Sequence, residues 1–191
     1  MSLSNDADAF EGYARGHSQR IAEIVDAVGL IFNFDTHDRL LLQQAALVRN
    51  VGEMQMNRDY IHSSGVLSPE ERLDMQRHPV IGEQAAAKLG LSRGVQLIVR
   101  WHHEWWNGSG YPDGLEGEHI PLAGRILRVA DTFSALTANR PFRSALSDEA
   151  ARKFLVEWAA IEFDATVVKA FLAMATAPVH VATAIEEPLA A

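Results

Sequence analysis

Residues 101–143 read WHHEWWNGSGYPDGLEGEHIPLAGRILRVADTFSALTANRPFR, and in this run chemically able side chains are set into apolar helix. His102 and His103 stand together near the end of one helix, followed by Glu104 and the loop Asn107-Gly108-Ser109-Gly110-Tyr111-Pro112-Asp113-Gly114. Glycine lets a backbone close around a ligand and proline fixes the turn. Pro121 suits the first turn of the next helix. That helix is apolar almost all round (Ile126, Leu127, Val129, Ala130, Phe133, Leu136), which marks it as a core element. Asp131 sits in its middle, and a carboxylate there is costly to bury without a metal, an arginine or several hydrogen bonds. Taken singly, a buried Asp is as often a structural cap or ion pair, and paired histidines are often surface residues. Together with the glycine loop they favour a metal, because neutral imidazole and carboxylate are ligands that divalent transition metals prefer.

The rest of the chain sets bounds on that reading. Its 191 residues, 48% of them hydrophobic, suit one domain with a substantial core. The absence of cysteine excludes disulfides, thiolate zinc sites and a Cys nucleophile, and fits a reducing cytoplasm. No apolar run approaches the roughly 18 residues of a membrane span, and the N-terminus lacks a signal-peptide pattern. The expectation is a soluble, cytoplasmic protein without membrane insertion. A formal net charge of -8 argues against nucleic acid as a partner, while a locally basic pocket still suits a small anion.

Apolar spacing predicts a helix from about Ala7 to Leu30, with Tyr13 and His17 on one face. A second helix should start near Thr36 and run to Val51, buried by composition. Residues 57–67 read as a loop, and Ser68-Pro69-Glu70-Glu71 as a capped helix start. His78 precedes Pro79 and is expected to leave the helical backbone, which suits either a side chain aimed into a site or an ordinary helix junction. Further helices are expected from Pro79 to Leu89, from Ser92 into His102, and after the caps Ser147 and Asp164. Trp158 and Phe171 read as core. No strand alternation or internal repeat is visible.

The string HHEWWNGSGYP followed by IPLAGRILRVADTFSALTANRPFR resembles the signature of the HD-GYP family, bacterial phosphodiesterases that hydrolyse cyclic di-GMP at a metal centre. The resemblance implies an all-α, single HD-superfamily helical domain of about seven or eight helices. Residues 7–180 would form it, after a disordered or artificial lead at 1–6 and before a frayed tail at 181–191. It also implies metal ligands at His17, His78, His102, His103 and Asp131, and cyclic di-GMP contacts at Tyr111, Arg140 and Arg143. Arg125 and Arg128 are expected to pair with acids instead. At the motif that gives the family its name, this chain departs: Arg49, Asn50 and Glu53 stand where the family has His, Asp and Lys. Arginine offers no lone pair and asparagine no charge. Arg49 would instead pair with Asp131.

One divalent transition ion (Fe, Mn, Zn or Ni), held mainly by the three later histidines, is the cofactor this pattern leaves room for; an empty site is the alternative. The expected function is therefore a degenerate domain of cyclic di-GMP signalling that binds a cyclic dinucleotide, or a partner such as a diguanylate cyclase, with little hydrolysis. The alternative is a metal-dependent phosphohydrolase retaining activity at a remodelled site. A third possibility is a structural or homodimerising output domain with an empty pocket.

Overall fold

The computed structural model describes residues 3–62, 66–139 and 143–174. Arg140 and the expected tail at 181–191 lie outside the described residues. Ten α-helices are seen among these: α1 (Leu3–Phe10), α2 (His17–Ile31), α3 (Thr36–Val48), α4 (Val51–Met56), α5 (Pro69–Met75), α6 (His78–Lys88), α7 (Arg93–Trp101), α8 (Leu122–Leu136), α9 (Asp148–Glu157) and α10 (Ala165–Met174). All but α4 and α5 have eight or more residues, and among the described residues extended pairing is limited to isolated bridges such as Asn107 with Glu116. None of these helices is long and apolar enough to cross a membrane.

The central layer is α2, α3, α7 and α8, whose inward faces carry Val25, Leu42, Val99, Ile126 and Phe133, all buried. Phe171 of α10 closes this core and stacks at a tilt on Phe133, with Trp158 packed at its edge. Sequence caps hold where expected. Ser68 accepts from the Glu71 amide while the Glu71 carboxylate accepts from the Ser68 amide. Ser92 and Ser147 cap α7 and α9 by accepting from the amides of Val95 and Ala150, and Asp164 accepts from the Thr166 amide at the start of α10.

Four expectations are corrected. The first helix is not continuous: α1 already begins at Leu3, and the chain turns at Gly12 and Gly16, both in the left-handed region (φ 77° and 90°), before α2 starts at His17. Asp8 explains the turn. It reaches back across ten residues, and both its oxygens accept from the Ser18 amide, capping an α2 terminus that has no cap of its own. Tyr13 therefore lies off the helix, yet its ring still stacks on His17 at 3.7 Å. The second helix stops at Val48, and Arg49 and Asn50 form the bend before α4. His78 does not leave the helical backbone either: it opens α6 with Pro79 behind it. A first-turn residue needs no intrahelical N–H bond, so proline costs nothing there. Pro121 likewise precedes α8 as its cap residue instead of entering the first turn.

Candidate metal centre

Two close backbone approaches build the centre. A Cβ on Gly52 would lie 2.0 Å from the His78 carbonyl oxygen, so only glycine lets α4 press against the start of α6. A Cβ on Gly110 would lie 2.2 Å from the Trp105 amide nitrogen, so the loop can fold back over the segment that follows α7. The Tyr111 amide then donates to the His103 carbonyl. Glu104 finishes the clamp: its two oxygens accept from the amides of Asp113 (2.7 Å) and Leu115 (3.0 Å). The sequence showed Glu104 only as a neighbour of the histidines; its work is to hold the loop that carries Tyr111.

His78, at the start of α6, and His102 and His103, just past the end of α7, converge. One nitrogen from each lies within 4.8 Å of the others. The ring centroids are 4.8 Å apart for His78 and His103 and 4.1 Å for His102 and His103. The tautomers follow from the neighbours. His78 Nδ1 lies 2.8 Å from the Met75 carbonyl and His102 Nδ1 lies 2.6 Å from the Val99 carbonyl, so each Nδ1 carries the proton and donates. Both Nε2 atoms are then bare lone pairs, buried and without a hydrogen-bond partner. Burial holds the rings neutral, lowering His78 to about 4 and, with the adjacent His78, His102 to about 3. His103 is also held well below its ordinary value by burial and by His102. Here the tautomer is reversed: the Arg128 guanidinium, which can only donate, makes a hydrogen bond to His103 Nδ1 at 2.8 Å, so that nitrogen accepts and the proton sits on Nε2. Tyr111 stacks on the other side of the His103 ring, 4.9 Å away, and its hydroxyl is pushed up by burial.

Asp131 completes the wall. Burial opposes its charge, but the Arg49 guanidinium outweighs that and holds the carboxyl at about 2. Arg49 Nε donates to Asp131 Oδ1 at 2.5 Å, and Nη1 donates to Ser18 Oγ at 2.9 Å. The expected pair between Arg49 and Asp131 is thus present. Arg125 and Arg128 pair with Asp164 and Glu162, as their neighbours suggested. Of the five candidate ligands, His78, His102 and His103 are gathered, Asp131 is bonded to Arg49, and the His17 ring stacks on Tyr13. Arg143 is exposed and donates to the Ala135 carbonyl. Asn50 donates to Glu11 at 2.7 Å; Glu11 carried no signal in the sequence, because a lone acid after a helix looks like surface.

The donor set fits a divalent transition ion at His78 and His102, whose buried Nε2 lone pairs are bare and whose rings are fixed by outer partners, with His103 able to join once its Nδ1 is released by Arg128. The same test fails on the other side of Asp131. There a buried guanidinium, with no lone pair to give, fills the space.

Comparison with known proteins agrees with this geometry. The HD domain family matches residues 7–167. A cyclic di-GMP phosphodiesterase of Vibrio cholerae is 35% identical over 189 residues, covering 91% of this chain and 38% of the relative. The cyclic di-GMP phosphodiesterase response regulator RpfG of Xanthomonas campestris is 34% identical over 177 residues, covering 90% of this chain and 47% of its own. This chain therefore spans less than half the length of either relative. Among solved structures, a cyclic GMP-AMP specific phosphodiesterase of V. cholerae (V-cGAP3) superposes with a TM-score of 0.73 at 22% identity, over 92% of this chain and 47% of that one. The family match over most of the chain leads to one conclusion: this chain belongs to the HD domain family.

Proposed function

We propose that this domain is a metal-dependent phosphodiesterase acting on a cyclic dinucleotide, with its ion held by His78, His102 and His103. The observation that carries the reading is the pair of buried Nε2 lone pairs, on His78 and His102, that converge without a partner. Leaving such atoms unsatisfied costs ~1–3 kcal/mol each, and a bound ion recovers that cost. The relatives named as cyclic di-GMP phosphodiesterases supply the substrate class.

A divalent ion at these nitrogens would supply Lewis-acid polarisation of a phosphoryl group. The chain's own residues do the rest. His78 and His102 stay neutral and oriented through their carbonyl partners. Tyr111 backs His103 and forms one wall of a cleft of about 430 Å³ with Val80, Ile81 and Pro112. Arg128, between His103 and Glu162, is a donor for a phosphate oxygen that displaces it, and Arg143 stands exposed for a second. Water adds across one P–O ester bond, leaving a phosphomonoester and a free hydroxyl.

A second reading, ligand binding without hydrolysis, is favoured by one observation: the buried Arg49 guanidinium on Asp131 removes a carboxylate oxygen from the centre. The three histidines nonetheless give hydrolysis more support than the loss of activity that Arg49 and Asn50 suggested in the sequence. Turnover of cyclic di-GMP and 3'3'-cGAMP by protein purified without chelator tests the two. Hydrolysis with Mn²⁺ that disappears in His102→Ala supports the first reading. Ligand binding without turnover supports the second.

A further inference from the structure

Arg49 is among the largest side chains withdrawn from solvent, 1% exposed, and it lies among acids. Asp131 accepts from its Nε, while Ser18 Oγ and the Ala46 carbonyl accept from Nη1 at 2.9 and 3.2 Å. Ser18 is held in turn by Asp8, which is wholly buried. Glu11, 4% exposed, attracts the guanidinium as well. Asn50 gives its amide nitrogen to Glu11 and leaves its carbonyl oxygen buried with no hydrogen-bond partner, in a side chain that is itself 8% exposed.

Two buried carboxylates, Asp131 and Glu11, thus face a single positive charge, a third, Asp8, is linked to it through Ser18, and one amide oxygen of the group is left orphaned. Without that charge Asp131 would be a buried carboxylate lacking its ion-pair partner, which is costly. Two species satisfy such an oxygen-rich, anionic pocket: a guanidinium, with five donors and a permanent charge, or a divalent cation.

We infer that Arg49 is a built-in cation: its guanidinium fills, between Asp131, Ser18 and the Glu11–Asn50 pair, a place that a second divalent ion would take. It limits this domain to one exchangeable ion, at the histidines. The inference deepens the proposed one-ion centre and depends on it only for the count in the wild type. Because the guanidinium is tethered, Asp131 stays charged and the α2–α3–α8 layer stays joined whether or not metal is present. It also means that no concentration of metal can complete a two-ion centre.

The test counts ions. The full chain is stripped with chelator and equilibrated with Mn²⁺, and bound metal per chain is read by plasma mass spectrometry. Thermal unfolding is recorded with and without Mn²⁺. One ion in the wild type, one in Arg49→Lys and two in Arg49→His is the expected pattern, with a Mn²⁺-dependent rise in melting temperature larger in Arg49→His than in the wild type. No ion in the wild type but one in Arg49→His keeps this inference and removes the three-histidine reading. Equal counts in the wild type and Arg49→His overturn it, as do two ions in the wild type. Electron paramagnetic resonance of Mn²⁺-loaded wild type needs no variant. An isolated-ion hyperfine pattern supports the inference, and an exchange-coupled pair overturns it even where Arg49→His does not fold.

Discussion

The two sides of Asp131 are built from similar materials and finished in opposite ways. On one side His78, His102 and His103 bring nitrogen atoms together, and two of those atoms, both buried, are left without a hydrogen-bond partner. On the other side Arg49 binds Asp131, Ser18 and a backbone carbonyl, and Ser18 binds Asp8. Apart from the Asn50 carbonyl oxygen this side is saturated, and it stabilises the fold at any metal concentration. The unsaturated side carries a local cost that only a ligand relieves. Buried polar groups by themselves do not mark a site; what marks it is the valence that the protein leaves open.

The sharpest way to expose this difference is to remove one member of each side. Arg49→Met leaves Asp131 buried and uncompensated, and loses ~3–5 kcal/mol of stability in urea unfolding of metal-free protein. A loss below ~1 kcal/mol would show that the saturated side is not structural. His102→Ala should act the other way round. Metal affinity, followed by competition with a chelating dye, falls by more than the ~100-fold that loss of an outer partner can cost. Metal-free stability changes far less than in Arg49→Met.

Acid separates the sides by sign and window. His78 and His102 have folded values of about 4 and about 3, below the ordinary 6.5, so the unfolded chain takes up protons first. Their contribution is fully present above pH 6.5 and is lost as pH falls through about 4 and then about 3, at ~1.4 kcal/mol per pH unit for each ring. Asp131, held at about 2 against an ordinary 3.8, contributes above pH 3.8 and is lost only as pH falls through about 2. Metal-free protein should therefore weaken between pH 6.5 and 4 before the Arg49 pair is touched. His102→Ala should flatten that slope, and an unchanged slope would contradict the neutral-histidine account.

Smaller effects probe the border. Arg128→Met frees His103 Nδ1 and removes a cation from the pocket wall. It should raise Mn²⁺ affinity roughly tenfold, a modest share of the ~4 kcal/mol a unit charge exerts at about 4 Å in a medium of effective dielectric constant 20. No gain would mean Arg128 does not restrain that ring. Lys153→Ala removes an exposed pair with Glu157 at 3.7 Å and should cost less than ~0.5 kcal/mol, setting the scale for a charge outside either region.

Much of this was legible in the sequence. The caps at Ser68, Ser92 and Ser147 are local chemistry, and they stand where they were read. The three histidines were legible from a motif, and the Arg49–Asp131 pair from the family resemblance that sets Arg49 at a ligand position together with the positive charge it brings there. What escaped was non-local. Asp8 caps a helix from which two glycines separate it, and that arrangement has no periodic signal. The Arg128 bond to His103 spans 25 residues and reverses one ring's tautomer, which no spacing predicts. The stack of the His17 ring on Tyr13, across the turn between α1 and α2, likewise has no signal in the helical spacing.

The most direct test of the central claim is a crystal of the full chain equilibrated with Zn²⁺ and measured at the zinc absorption edge. The account predicts one anomalous peak about 2.1 Å from Nε2 of both His78 and His102, with Arg49 still on Asp131. A peak bridging Asp131 and His17, or none at the histidines, would contradict it.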